Sequence, residues 1–160
     1  MDFYEYQRPV GKIFDTPNLR NDFISVFDTK TKKEMVQFGL AYGKHILEIT
    51  GLTPTSEIEH TFVAMQRWLD GKVNYHEARN IAFRELYTKA REENDIVKEK
   101  FYKTFAQIAC IPHVKFHGLW ATDFAVTLIN VMHPNNIDEV AKERKFQIQL
   151  LNKIVENIAK

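Results

Sequence analysis

One cysteine, Cys110, stands alone in 160 residues, so no intramolecular disulfide can form. The thiol is expected to pack as a small hydrophobe in a reducing cytoplasm. Charge of one sign is also missing: 22 Lys plus Arg face 21 Asp plus Glu, which removes the overall attraction that nucleic acid or an acidic membrane would exert. No window has the apolar length of a membrane span. The opening MDFYEYQRPVGKIFD carries acids and aromatics where a cleavable signal needs a basic head and an apolar run. The chain is expected to be soluble and not exported by such a signal, with no membrane and no nucleic-acid partner. Catalytic signatures are equally scarce. There is no glycine-rich phosphate loop, no G-x-S-x-G elbow and no paired C-x-x-C. Cys110 has no adjacent residue that would make it a nucleophile. No catalytic residue and no cofactor are assigned.

What the chain does contain is helix punctuation. Thr31 with Glu34, Ser56 with Glu59, Asn74 with Glu77 and Asn136 with Glu139 each place a capping side chain three residues before a glutamate, the pattern that satisfies free N–H groups at a helix start. Gly51 and Gly71 follow the first two segments, where a left-handed residue closes a helix. From Lys32 to Thr50 the residues Met35, Phe38, Tyr42, Ile46 and Ile49 form one apolar stripe. Similar stripes run from Glu57 to Asp70, from Tyr75 to Glu93, from a cap at Asp95 towards Pro112, and from Ile137 to about Ile158, the last with Arg144 among its inward positions. Pro112 marks a kink or the first turn of a helix running to about Met132. The fold class is all-α: a single-domain bundle of about five to six amphipathic helices over residues 31–160. Residues 1–30 form a less regular N-terminal arm in which Thr16 and Pro17 can open a short helix through Phe27.

The stretch CIPHVKFHGLWATDFAVTLIN sets His113 and His117 four residues apart at the head of an apolar run. On a helix that spacing points both rings from one face. The pair is either half of a metal site or a polar notch in a packing surface. A catalytic zinc takes a third protein ligand, for which Asp123, His76 and His45 are the available recruits, and the glutamate of H-E-x-x-H is not there. Packing or partner contact is the plainer reading. Arg79, beside the inward Ala78, can clamp a carboxylate or cap a neighbouring helix. Trp68 and Trp120 are large anchors that suit a core or an interface, and Trp120 follows Phe116 and His117 by about one turn.

Taken together, WLDGKVNYHEARNIAFRELYTKAREEND and the later AQIACIPHVKFHGLWATDFAVTLIN resemble the immunity proteins of bacterial polymorphic toxin systems, the all-α group called immunity-five-like. The shared features fall at Trp68, Gly71, Ala78 with Arg79, and His113, Val114 and His117, and the resemblance spans roughly residues 30 to 152. After His117 this chain is bulkier than the family pattern, with Leu119, Trp120, Phe124 and Leu128. The resemblance implies a cytoplasmic, non-enzymatic protein that binds and neutralises a cognate toxin domain. A partner surface of that kind needs aromatic or arginine anchors within a polar rim, and His113, His117, Trp120 and Arg79 are the candidates. The alternative is a metal-binding helical protein with His113 and His117 as ligands, for which hydrolysis is the chemistry considered.

Overall fold

The computed structural model of the chain describes residues 3–6 and 10–155. Two short strands, β1 (Phe3–Glu5) and β2 (Lys12–Phe14), pair antiparallel with Tyr4 opposite Ile13. Helices follow: α1 (Pro17–Phe27), α2 (Lys32–Thr50), α3 (Ser56–Leu69), α4 (His76–Ile81), α5 (Tyr87–Glu92), α6 (Ile96–Ala109), α7 (His117–Met132) and α8 (Ile137–Lys153). The all-α expectation holds. The last helix ends at Lys153, where Ile154 turns extended, short of the expected end near Ile158, which itself lies outside the described residues.

Most helix ends follow the capping chemistry. The Thr31 side chain accepts from Glu34 N at 3.1 Å while Glu34 Oε1 accepts from Thr31 N at 2.9 Å, a complete capping box. Gly51 closes α2 at φ 66°. For α3 the cap is Thr55, one residue before the expected Ser56, and its hydroxyl accepts from Ile58 N. That helix ends with Lys72 N bonded to Arg67 O and Gly71 N to Trp68 O, Gly71 being left-handed at φ 73°, the paired closure that glycine permits. Asn74 accepts from His76 N rather than forming a box with Glu77, while Asp95 and Asn136 cap α6 and α8 as expected.

A π-helical turn, Ala82–Leu86, joins α4 and α5 into one rod. The buried positions on it, Ala78, Ala82, Leu86 and Ala90, recur every four residues. In a straight α-helix each such step would rotate the side chain by about 40°, carrying Ala90 well away from the core. A wider turn takes up the excess and keeps all four on one side.

Pro112 neither kinks α6 nor opens α7. Helix α6 stops at Ala109, residues 110–116 run as tight turns with His113 N and Val114 N both bonded to Cys110 O, and α7 begins at His117. His113 therefore precedes α7 instead of sharing its face with His117.

The pair α6 and α7 packs most extensively, α8 lies against α7 and α1, and α2 touches α3, α6, α7 and α8. Phe23, Phe38, Tyr42, Ile58, Met65, Phe101, Phe105 and Leu128 are buried in the main core. Close approach to α2 is made at Gly43, where a Cβ would lie 2.8 Å from Phe62 Cε1 and 3.1 Å from Phe105 Cε1. A smaller cluster of Ile13, Val126, Ile129 and Val140 lies under the hairpin, and the Asn130 amide fastens it by bonding both Phe14 O (2.9 Å) and Phe14 N (3.0 Å).

Helix α7 is buried from Gly118 through Ile129 except at half-buried Trp120, and contains one acid, Asp123. An ionised carboxylate so placed requires a partner. Arg20 donates to it from Nε and Nη2 at 2.9 and 2.8 Å, and Arg144 Nη2 lies 2.8 Å away. Arg144, 0% exposed, also donates to both oxygens of Asp15 at 3.0 and 2.6 Å, to Thr122 Oγ1 at 3.3 Å and to Gln147 Oε1 at 3.1 Å. Two arginines and two aspartates thus make a neutral cluster linking the segment after β2 with α1, α7 and α8. Burial pushes the Asp15 carboxyl up, but the Arg144 bonds and charge together outweigh it and hold it below the usual value. Gln147 continues the network to Tyr42, whose hydroxyl donates to Glu143, and Glu143 also bonds His45 Nε2 at 2.9 Å.

Candidate functional site

A run of ring contacts crosses the end of the bundle where α4, α7 and α1 meet. Tyr75, at the start of α4, lies 4.2 Å from His76 and 4.4 Å from His113, measured between ring centroids. His113 is 6.2 Å from His117, His117 is 5.1 Å from Trp120, Trp120 is 5.1 Å from Phe116, and Phe116 is 6.0 Å from Phe27 at the end of α1. The turns at residues 110–116 hold His113, Val114 and Phe116 outward, and the first turn of α7 supplies His117 and Trp120. Val114 is 44% and Phe116 39% exposed, so the seam presents apolar surface to solvent.

Two neutral imidazoles sit in it. His117 Nδ1 donates to Gln107 Oε1 at 2.8 Å, and Gln107 Nε2 donates to the Tyr87 hydroxyl, which fixes the ring and leaves Nε2 as its acceptor. Burial lowers the His117 pKa to about 4, with His113 and Arg79 adding to the shift. His113 is lowered by burial and then by Arg79, Lys32 and His76. The permanent charges that act on these two rings, Arg79 on both and Lys32 on His113, are cationic. Cys110 beneath them is buried and its thiol is pushed up to about 12 by that burial, against the pull of Arg79.

Arg79 is the least satisfied group of the site. Its guanidinium carbon lies 4.7 Å from the Phe83 ring centroid. Among the described residues three buried side-chain N or O atoms have no hydrogen-bond partner, Thr16 Oγ1, Gln37 Oε1 and Arg79 Nε, and only the last belongs to a charged group.

Of the four residues singled out in the sequence, His113, His117 and Trp120 are in ring-to-ring sequence, and Arg79 acts electrostatically on both imidazoles. The further metal ligands considered do not join them: Asp123 is engaged by Arg20 and Arg144, His45 by Glu143, and His76 contacts the Tyr75 ring. Among the described residues no group of three or more His, Cys, Asp or Glu side chains is placed to hold a metal ion, so the pair lacks the third protein ligand a zinc site takes. Sequence reasoning missed Tyr75 and Phe27 as members of the seam. The signal for Phe116 was present, an aromatic beside the second histidine, whereas Tyr75 and Phe27 enter only through tertiary packing. Trp68 lies elsewhere, half-buried, with Lys32 Nζ 5.4 Å from its ring centroid.

At the Phe27 end the seam opens into a recess of about 360 Å³ lined by Tyr6, Arg20, Phe27, Phe116 and Trp120, with Glu5 and Asp28 at its edge. A larger groove of about 820 Å³ lies between α2, α7 and α8, with His45, Glu143 and Phe146 in its wall. Its acids and bases are mixed, and the His45–Glu143 pair there is already satisfied. Among the described residues no helix is long and apolar enough to cross a membrane.

Fold and site together define a small all-α protein with an aromatic, histidine-bearing seam that is partly exposed. The chain belongs to the family described as Imm-5 like putative immunity protein, whose model matches residues 25–154. All four candidate residues lie inside that match, while β1, β2, Asp15 and Arg20 lie outside it. No curated protein and no solved structure matches the chain.

Proposed function

We propose that this protein is a non-enzymatic immunity protein that binds and neutralises a cognate toxin domain of a bacterial polymorphic toxin system, acting in the cytoplasm. Family membership over residues 25–154 carries this reading. The aromatic seam supports it physically. Interface energy concentrates in a few aromatic and arginine anchors, and here Trp120, Phe116, His113, His117 and Arg79 lie along one exposed edge. Blocking a toxin requires only a stable complex over the toxin's working surface, so no chemistry is asked of this chain.

The test is co-expression with the toxin domains encoded beside its gene. Protection of the cells and a purified complex are the expected results, and the double change Phe116→Ala with Trp120→Ala should weaken the complex by about a hundredfold, as loss of two anchors does. Absence of both protection and complex with every neighbouring toxin domain refutes the reading.

A further inference from the structure

We propose that the Arg79 end of the seam is a receptor for a carboxylate carried by the docked protein partner. This rests on the reading of the seam as a docking surface. The first observation is the guanidinium itself. Arg79 carries five N–H donors in a planar fork suited to a carboxylate, and among the described residues its buried Nε has no hydrogen-bond partner. A buried donor left unmade is costly in a free protein, and the missing partner is of the type a docked anion provides.

The second observation is the electrostatic setting. Arg79 lies one helical turn beyond Tyr75, with its N–H bonded to Tyr75 O, and the Tyr75 ring stacks on His113 at 4.4 Å. Arg79, Lys32 from α2 and His76 act on His113, and Arg79 and His113 act on His117. The neutral groups packed against the two imidazoles are Tyr75, Gln107 and Trp120. The nearby acid on α4, Glu77, is paired with Arg67 at 3.4 Å. The permanent charges here, Arg79 and Lys32, are both positive and complement an anion. A protein carboxylate fits better than nucleic acid, because the receptor sits within apolar ring surface and holds one guanidinium fork, whereas nucleic acid is gripped by arrays of phosphate contacts. A bound carboxylate also favours the protonated imidazole, so binding strengthens as the pH falls through the range in which His113, held below the ordinary value near 6.5, takes its proton.

The experiment follows the His113 and His117 ring resonances by NMR during titration with a hexaglutamate peptide. Hexaglutamine and an oligonucleotide of equal charge are added in parallel at matched ionic strength. The expected result is a saturable shift with hexaglutamate alone, a rise of the His113 titration midpoint in its presence, and loss of both in Arg79→Gln. Arg79→Lys, which keeps the charge and loses the fork, should retain part of the shift, and thermal unfolding confirms that each variant is folded. No shift, an unchanged shift in Arg79→Gln, or a response to the oligonucleotide and not the peptide overturns the proposal. In a toxin complex, Arg79→Gln should weaken binding about tenfold or more. A complex indifferent to Arg79 overturns the carboxylate receptor and leaves the docking surface standing. Failure to find any complex overturns the docking surface, and the peptide titration still decides the receptor.

Discussion

Replacing Arg144 by Met tests the buried ionic cluster. An unbranched apolar stem is kept, the guanidinium is removed, and five hydrogen bonds are lost, two to Asp15 and one each to Asp123, Thr122 and Gln147. Asp123 keeps its two bonds from Arg20, so that pair stays neutral, but Asp15 is left as a buried anion with only Tyr6 and Thr16 N as donors. Removing one partner of a buried pair costs about 3–5 kcal/mol. Asp15 can escape by binding a proton. From an ordinary aspartate value near 3.9, that costs about 4 kcal/mol at pH 7 and about 1.5 kcal/mol at pH 5, which caps the charge penalty at each pH. In the wild type the Asp15 pKa is depressed, so its stabilisation is complete above about pH 4 and is lost only as the pH falls further. The two measurements therefore share a reference. Urea unfolding should show Arg144→Met losing about 3–5 kcal/mol at pH 7 and visibly less at pH 5, with Asp15→Asn restoring about 2 kcal/mol in the double variant. A loss below about 1 kcal/mol at pH 7, or a double variant less stable than the single, would refute the reasoning.

Gly43→Ala should cost about 1–3 kcal/mol in the same assay, because the new methyl meets the Phe62 and Phe105 rings rather than the end of a flexible chain. Cys110 should resist a thiol-specific reagent in the folded protein and react fully in denaturant, since it is 1% exposed with its thiol pushed up to about 12. His117 is held neutral down to about pH 4, while in the unfolded chain it takes a proton near 6.5. Its contribution is therefore fully present above about pH 6.5 and lost as the pH falls towards 4. The melting temperature should decline across that window, and less steeply in His117→Gln; equal slopes would show that the ring does not titrate in this way.

Local chemistry was the legible part of this sequence. Thr31 with Glu34, Gly51, Asp95 and Asn136 act within one helical turn of themselves, so their roles survive any tertiary arrangement. The inward position of Arg144 was legible too, but its meaning was not, because its partner Asp15 is 129 residues away and no spacing rule reaches that far. The four-residue recurrence of Ala78, Ala82, Leu86 and Ala90 reads as ordinary helix until the accumulated rotation is counted, which is why the π-helical turn went unforeseen. At His113 the H-x-x-x-H spacing pointed to a shared helix face, and the turns around Pro112 overrode it while still bringing the rings to 6.2 Å. Half of the seam was therefore reachable from the motif, and Tyr75 and Phe27 were not.

The ionic cluster also bears on how the chain is made. Asp15 and Arg20 leave the ribosome early and Asp123 follows, yet the guanidinium that joins Asp15 to Asp123 arrives only with α8. Until then Asp15 lacks its main counter-charge, and water is its cheapest neighbour. The segment that contributes Asp15 thus has little reason to close over nascent α7 ahead of time. Closure of this part of the core therefore waits for α8 to deliver the Arg144 guanidinium.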